Sequence, residues 1–186
     1  MIESYIETFS GRRFYFLNPQ PEDIDIKDIA HALSMNCRYT GHCDRFYSVA
    51  EHSWHMSRMA PEGLEMACLL HDASEAYITD IASPIKQHLP DYQEMEDRLM
   101  KAIASKFGFD YPLNPIVKHL DLTMLSTEAH YLLSSRGDTW DLWRERKRPV
   151  VQHTFRPIGM VPTLARKLFL ERYYELEKQY GTITTT

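Results

Sequence analysis

The sequence predicts an all-α fold, a bundle of six or so helices preceded by a short β-hairpin. From Ile26 onward, apolar residues recur at spacings of three and four, and the segments open and close on capping residues. Before that, YIETFSGRRFYF alternates aromatic and β-branched residues about Ser10-Gly11, which places a hairpin within residues 1–20. The 186 residues are 44% hydrophobic and 25% charged, with 7 Gly and 10 Pro in no repeat. A chain of that size buries about 70% of the surface its unfolded form exposes, enough for one core. A single domain over 1–186 is therefore expected, with the Thr-rich segment 182–186 as a flexible tail.

Each helix has its own signal. Ser48 stands three residues before Glu51, an S-x-x-E capping box that starts a helix near Val49, and Pro61 marks where it has ended. At about 100° per residue, Val49, His52, Met56 and Met59 share one stripe, so His52 faces the core. A second helix opens at Pro61 and is apolar nearly all round from Met66 to Leu70, as a buried central helix should be. Ser83-Pro84 opens a short helix. Tyr92, Met95, Leu99, Ile103 and Phe107 mark an amphipathic helix stopped by Gly108. Asn114-Pro115 opens another, whose stripe is Val117, Met124, Leu125, Tyr131 and Leu132. Asp121 and Glu128 project into that stripe, whereas Lys118, His119, Ser126 and His130 lie off it. A last helix over about 163–178 carries Ala165, Leu168, Phe169, Tyr173 and Leu176.

Composition excludes several function classes. A formal charge of -5 lacks the basic footprint that binding a nucleic-acid backbone requires. The run Arg144, Arg146, Lys147, Arg148 is the local exception, read as a solvated loop or, more sharply, as a contact for a phosphate-rich small ligand. MIESYIETFS is acidic and has no apolar segment, so it reads as neither a secretory signal nor a transit peptide. No apolar run approaches the ~18 residues of a membrane span. Three cysteines, Cys37, Cys43 and Cys68, follow no framework spacing and fit a reducing cytoplasm.

The stretch LLHDASEAYITD places His71 and Asp72 at the end of an apolar run, where polar groups are costly unless paired or bound to a metal. Three helices thus each turn a metal-competent side chain inward: His52, then His71 with Asp72, then Asp121. A single core-facing histidine is usually a satisfied core residue, but this set is hard to reach by accident. Two imidazoles and two carboxylates suit one divalent Mn, Fe, Co, Ni or Zn ion, and six-coordination leaves positions for water and a phosphate oxygen.

Ala50-Glu51-His52-Ser53, Leu70-His71-Asp72-Ala73-Ser74-Glu75 and Lys118-His119-Leu120-Asp121 resemble the H…HD…D signature of HD-domain phosphohydrolases. DIAHALSMNCRYTGHCDRFYSVAEHS followed by LLHDASEAYITDIASPIK is more closely similar to the YfbR-type 5′-deoxynucleotidases and the related phage dATP triphosphohydrolases of the DatZ type. The resemblance spans roughly residues 10 to 135. It implies an HD-domain helical fold, one ion held by His52, His71, Asp72 and Asp121, and hydrolysis of a phosphoester. Bimetallic relatives add histidines between the HD pair and the last Asp. Here only His88 and His119 lie in that interval, and His119 projects away.

A bound divalent ion lowers the pKa of its water from ~16 towards ~7 and polarises a phosphoryl oxygen. Glu75, one helical turn beyond His71, could take the water's proton and return it; otherwise it is an exposed helix-end glutamate. By resemblance, Asp80 orients the water or the leaving 5′ oxygen, with helix capping as the alternative. Lys86, just past the Pro84 helix start, could meet an anion together with free backbone N–H groups. Arg38 matches the family's Arg-aromatic pair, with Tyr39 where other members carry Trp. His42 and Arg45 are candidates for a longer phosphate chain, or surface residues. Glu128 is either a partner that orients a ligand or half of a buried ion pair.

The expected reaction is release of a deoxynucleoside from a deoxynucleotide substrate, dATP giving deoxyadenosine and triphosphate, with a second Mg admitted on the phosphate chain. A dNMP substrate is the alternative, and an HD sensor that binds nucleotide without turnover is the rival of another class. Trp140 and Trp143 read as exposed and, with family habit, point to a homo-oligomer. Neither nucleic acid nor membrane is an expected partner. The expected location is the cytoplasm, the host's for a phage-encoded protein.

Overall fold

A computed structural model describes residues 4–181; the segment 182–186 read as a tail lies outside them. Strands β1 (Ile6–Glu7) and β2 (Arg13–Phe14) pair antiparallel, with Ile6 opposite Phe14 and Glu7 opposite Arg13. The Ser10–Gly11 corner works because Gly11 takes a φ of 80°. The buried Asp28 holds it in place, accepting from Ser10 N at 2.7 Å and Ser10 Oγ at 2.8 Å. The rest of the ordered structure is helical, as expected.

Helix α1 (Ile26–Met35) opens on Asp25, whose side chain accepts from Lys27 N at 2.8 Å. Ser48 caps α2 (Val49–Met59) by accepting from Glu51 N at 3.1 Å. Only half of the capping box forms. The Glu51 carboxylate instead accepts backbone N–H groups of Ile158, Gly159 and Met160 at 2.6, 3.1 and 2.6 Å, tying the distant chain to α2. Ser48→Ala is expected to cost about 1 kcal/mol, read as a lower denaturation midpoint at unchanged slope.

Helix α3 (Glu65–Leu70) begins four residues later than Pro61 suggests. Gly63 sits at φ 86°, outside helical space, and turns the chain first. Short helices α4 (Glu75–Ile78) and α5 (Ser83–Lys86) follow, then α6 (Pro90–Phe107), ended by Gly108 in the left-handed conformation. Asn114 caps α7 (Pro115–Leu132) by accepting from Ile116 N at 2.9 Å. Helices α8 (Leu142–Glu145) and α9 (Pro162–Tyr180) complete the chain. Among the described residues, no helix is long and apolar enough to cross a membrane.

The main core gathers Phe14, Ile29, Leu33, Val49, Leu69, Leu70, Leu99, Ile103, Phe169 and Leu176. Helix α9 packs across α1 and α2, and α3 packs on α2. A smaller cluster of Met56, Cys68, Val117 and Met124 joins α2, α3 and α7. The polar centre lies beside it. Two surface readings need correction. Ser126 is buried, donating to Pro149 O and accepting from Arg148 Nε, both at 2.9 Å, so Arg148 of the basic run is a structural residue. Trp140 and Trp143 are half-buried, stacked with centroids 6.2 Å apart, because each ring covers the other.

Candidate metal centre

His52 stands one turn into α2, fully buried, where Ser48 fixes the helix start. After α3 the backbone stays near-helical at His71 (φ -61°, ψ -30°), so His71 and Asp72 follow the apolar run into the same space. Asp121 and Glu128, seven positions apart on α7, share the face turned toward α2. The side chains converge. His52 Nε2 lies 3.2 Å from His71 Nε2 and 3.7 Å from Asp72 Oδ2, and His71 Nε2 lies 3.2 Å from Asp72 Oδ2. Ligand atoms held 2.0–2.2 Å from one ion stand roughly 3.0–3.5 Å apart. His52, His71 and Asp72 form a cluster able to hold a metal ion.

The other ring nitrogens explain why. His52 Nδ1 lies 2.5 Å from Glu128 Oε1, and His71 Nδ1 lies 2.8 Å from the Cys68 carbonyl. Both partners are acceptors, so each Nδ1 donates and each ring turns its Nε2 toward the other and toward Asp72. Two ring nitrogens and a carboxylate oxygen at this separation can share one cation between them. Asp121 approaches from the side, its Oδ1 3.6 Å from His52 Nε2, while its Oδ2 accepts from Lys118 Nζ at 2.6 Å.

Glu128 is the hub of this network and has no solvent exposure. Besides His52, its carboxylate accepts from Tyr47 OH at 2.9 Å and Tyr39 OH at 2.6 Å, with Arg38 Nε 3.3 Å away. Burial alone would raise its pKa, but Arg38, His52 and these hydrogen bonds hold it at about 2. Glu128 is thus both the orienting partner and half of a buried ion pair. Arg38 is buried too, with Nη1 3.3 Å from Asp72 Oδ2, so it braces a ligand. Burial also opposes the ionised form of Asp72, yet His71, His52 and Arg38 hold its pKa well below the usual carboxylate range.

Glu75 is buried at the start of α4, not an exposed helix end. Among the described residues its Oε2 has no hydrogen-bond partner, and its Oε1 lies 4.0 Å from Lys86 Nζ. Burial, then Asp72 and Asp80, push its pKa well above the ordinary glutamate value. Asp80 is half-buried in the loop after α4, and burial raises its pKa as well. Lys86 closes the single turn of α5, two residues past Pro84 as the sequence places it. Its ammonium is 2.6 Å from Glu96 Oε1. A cavity of about 450 Å³ opens here, lined by His71, Ser83, Lys86, Gln93, Glu96 and Tyr111 among others.

The remaining candidates divide. Tyr39 joins the centre through Glu128. His42 and Arg45 are exposed, and Arg45 spends its guanidinium on Asp44 at 2.8 and 2.9 Å, so neither is gathered with the cluster. Sequence reasoning missed Tyr47, Glu96 and the Cys68 carbonyl. Only Lys118, three residues before Asp121, had a readable helical-pair signal.

No family model matches the sequence. The uncharacterized protein YfdR of Escherichia coli K12 is 38% identical over 180 residues, covering 94% of this chain and 97% of YfdR. The uncharacterized protein RCAP_rcc00048 of Rhodobacter capsulatus is 35% identical over 146 residues, 71% of this chain and 74% of that protein. At such identity over nearly the full length of both chains, this chain belongs to the same protein family as YfdR.

Proposed function

We propose that the chain is an HD-domain phosphohydrolase that cleaves the α-phosphate ester of a deoxynucleotide, taking dATP to deoxyadenosine and triphosphate. The observation that carries this reading is the convergence of His52 Nε2, His71 Nε2 and Asp72 Oδ2 within 3.2–3.7 Å, beside a cavity that adjoins His71. A divalent Co, Mn, Zn, Ni or Fe ion held by these residues, with Asp121 as fourth ligand, would supply an activated water and polarise a phosphoryl oxygen.

The chain's own residues do the rest. Glu128 and the Cys68 carbonyl hold both imidazoles by Nδ1 and keep each Nε2 aimed at the centre. Glu75, with an unpartnered oxygen shielded from bulk water, takes a proton from the attacking water and returns it to the leaving 5′ oxygen. Asp80 orients that exchange. Lys86 exchanges Glu96 for a phosphate oxygen, a swap of one charged partner for another. The cavity is within the range of small-molecule sites. Glu96 and Asp97 in its wall repel a bare triphosphate, which supports entry of the chain with Mg bound.

The test incubates the protein with each metal and each dNTP and dNMP, and separates the products. Deoxyadenosine with triphosphate supports the reading, and activity should vanish with a chelator and return with metal. Orthophosphate from dNMPs alone would select the 5′-deoxynucleotidase form. No turnover under any metal would leave the nucleotide-binding sensor.

A further inference from the structure

Cys37 and Cys43 lie six positions apart with their sulfurs 3.7 Å from each other, both half-buried and free. The segment between them is fixed at both ends. Cys37 pairs with Ser48, Arg38 N donates to Tyr47 O at 2.9 Å, and Asp44 N donates to Leu132 O of α7 at 2.9 Å. In the middle, Tyr39, Thr40 and Gly41 have φ of 58°, 53° and 78°, three left-handed residues in succession. Two of these are not glycine, so the turn holds strain that the surroundings impose. Arg38 and Tyr39, which grip Asp72 and Glu128, are carried on this same segment.

We infer that Cys37 and Cys43 are a reversible thiol–disulfide pair whose closure shifts the Arg38–Tyr39 segment and loosens its hold on the metal ligands. Closing the pair brings the sulfurs from 3.7 Å to about 2.05 Å, and the strained turn is the part able to absorb the movement. A low-molecular-weight disulfide such as oxidised glutathione is the oxidant. The Cys37 thiolate attacks one of its sulfurs and expels one thiolate, forming a mixed disulfide. Cys43 then loses its proton and attacks Cys37 Sγ, expelling the second thiolate. Two protein thiols are oxidised, and one small disulfide is reduced to two thiols. Burial and the neighbouring sulfur push the Cys43 thiol up to about 11, which makes it the poorer first nucleophile and suits it to the second, intramolecular step. Cys68 is fully buried and serves as an internal control.

The experiment equilibrates the full chain in glutathione buffers of rising oxidised fraction, maps its peptides and measures metal affinity at each step. A Cys37–Cys43 linked peptide with Cys68 free is expected, absent in Cys37→Ser and in Cys43→Ser. Metal affinity of the oxidised protein should fall by roughly tenfold, the scale of losing a partner behind a ligand, and not in Cys37→Ser. Finding only glutathione adducts, or no linkage, overturns the pair. Linkage with unchanged affinity overturns its coupling to the centre, which rests on the metal reading above. A reduced protein that binds no metal sinks that reading, while the peptide map still decides the thiol chemistry.

Discussion

Glu128→Ala is expected to cost about 3–5 kcal/mol of stability, the range for removing one member of a buried ion pair, and to weaken metal binding by roughly 10–100-fold. The mechanism lies in what the carboxylate leaves behind. Arg38 keeps a buried charge with only Asp72 opposite, Tyr39 and Tyr47 lose the acceptor for their hydroxyls, and His52 loses the group that fixes its tautomer. Denaturant unfolding without metal reads the first effect, and titration calorimetry with a divalent ion reads the second. Glu128→Gln keeps the shape and two accepting lone pairs, so it should unfold less readily than the alanine variant and still bind metal poorly. Wild-type affinity in both variants would remove the hydrogen bond to His52 Nδ1 from the account.

Glu75→Gln is expected to cut turnover by about 10²–10⁴, the usual contribution of a positioned acid–base group, while metal affinity is preserved. Stability should move the other way. The folded pKa of Glu75 is raised, so its contribution is fully present below the unfolded value of about 4.3 and is lost as pH climbs through the folded value. In chelator-treated protein, the variant should therefore match wild type near pH 4 and become the more stable of the two as pH rises. Lys86, 4.0 Å away, offsets part of the difference. A gap that stays flat from pH 4 to 8 would show that Glu75 ionises freely, and an active variant would move the proton transfer to another residue.

Local rules made much of this fold legible. Caps at Ser48, Gly108 and Asn114 are contacts within one helical turn, and the stripe that brings Asp121 and Glu128 inward depends only on helical period. The ligand cluster was legible for the same reason: each member is core-facing on its own element. What escaped depends on pairs distant in sequence. Glu51 looks like half of a capping box, but its carboxylate meets three N–H groups more than a hundred residues away. Arg38 reads as a residue for substrate, but the buried Glu128 and the half-buried Asp72 claim it. Lys86 reads as a free cation, but Glu96, ten positions on, takes its ammonium. Helical phase says which way a side chain leaves its backbone, and tertiary packing decides what it meets.

The bond from Glu51 to residues 158–160 also sets an order of events during synthesis. A nascent chain emerging from the ribosome would expose His52, His71, Asp72 and Asp121 while the Glu51 carboxylate, on the residue before His52, still lacked the amides it receives from near the end. Arg172, whose Nε donates to Ser57 Oγ at 3.0 Å, secures the same helix from the last segment. A side-chain cluster seated in the first two thirds of the polypeptide thus receives part of its support only from the final third.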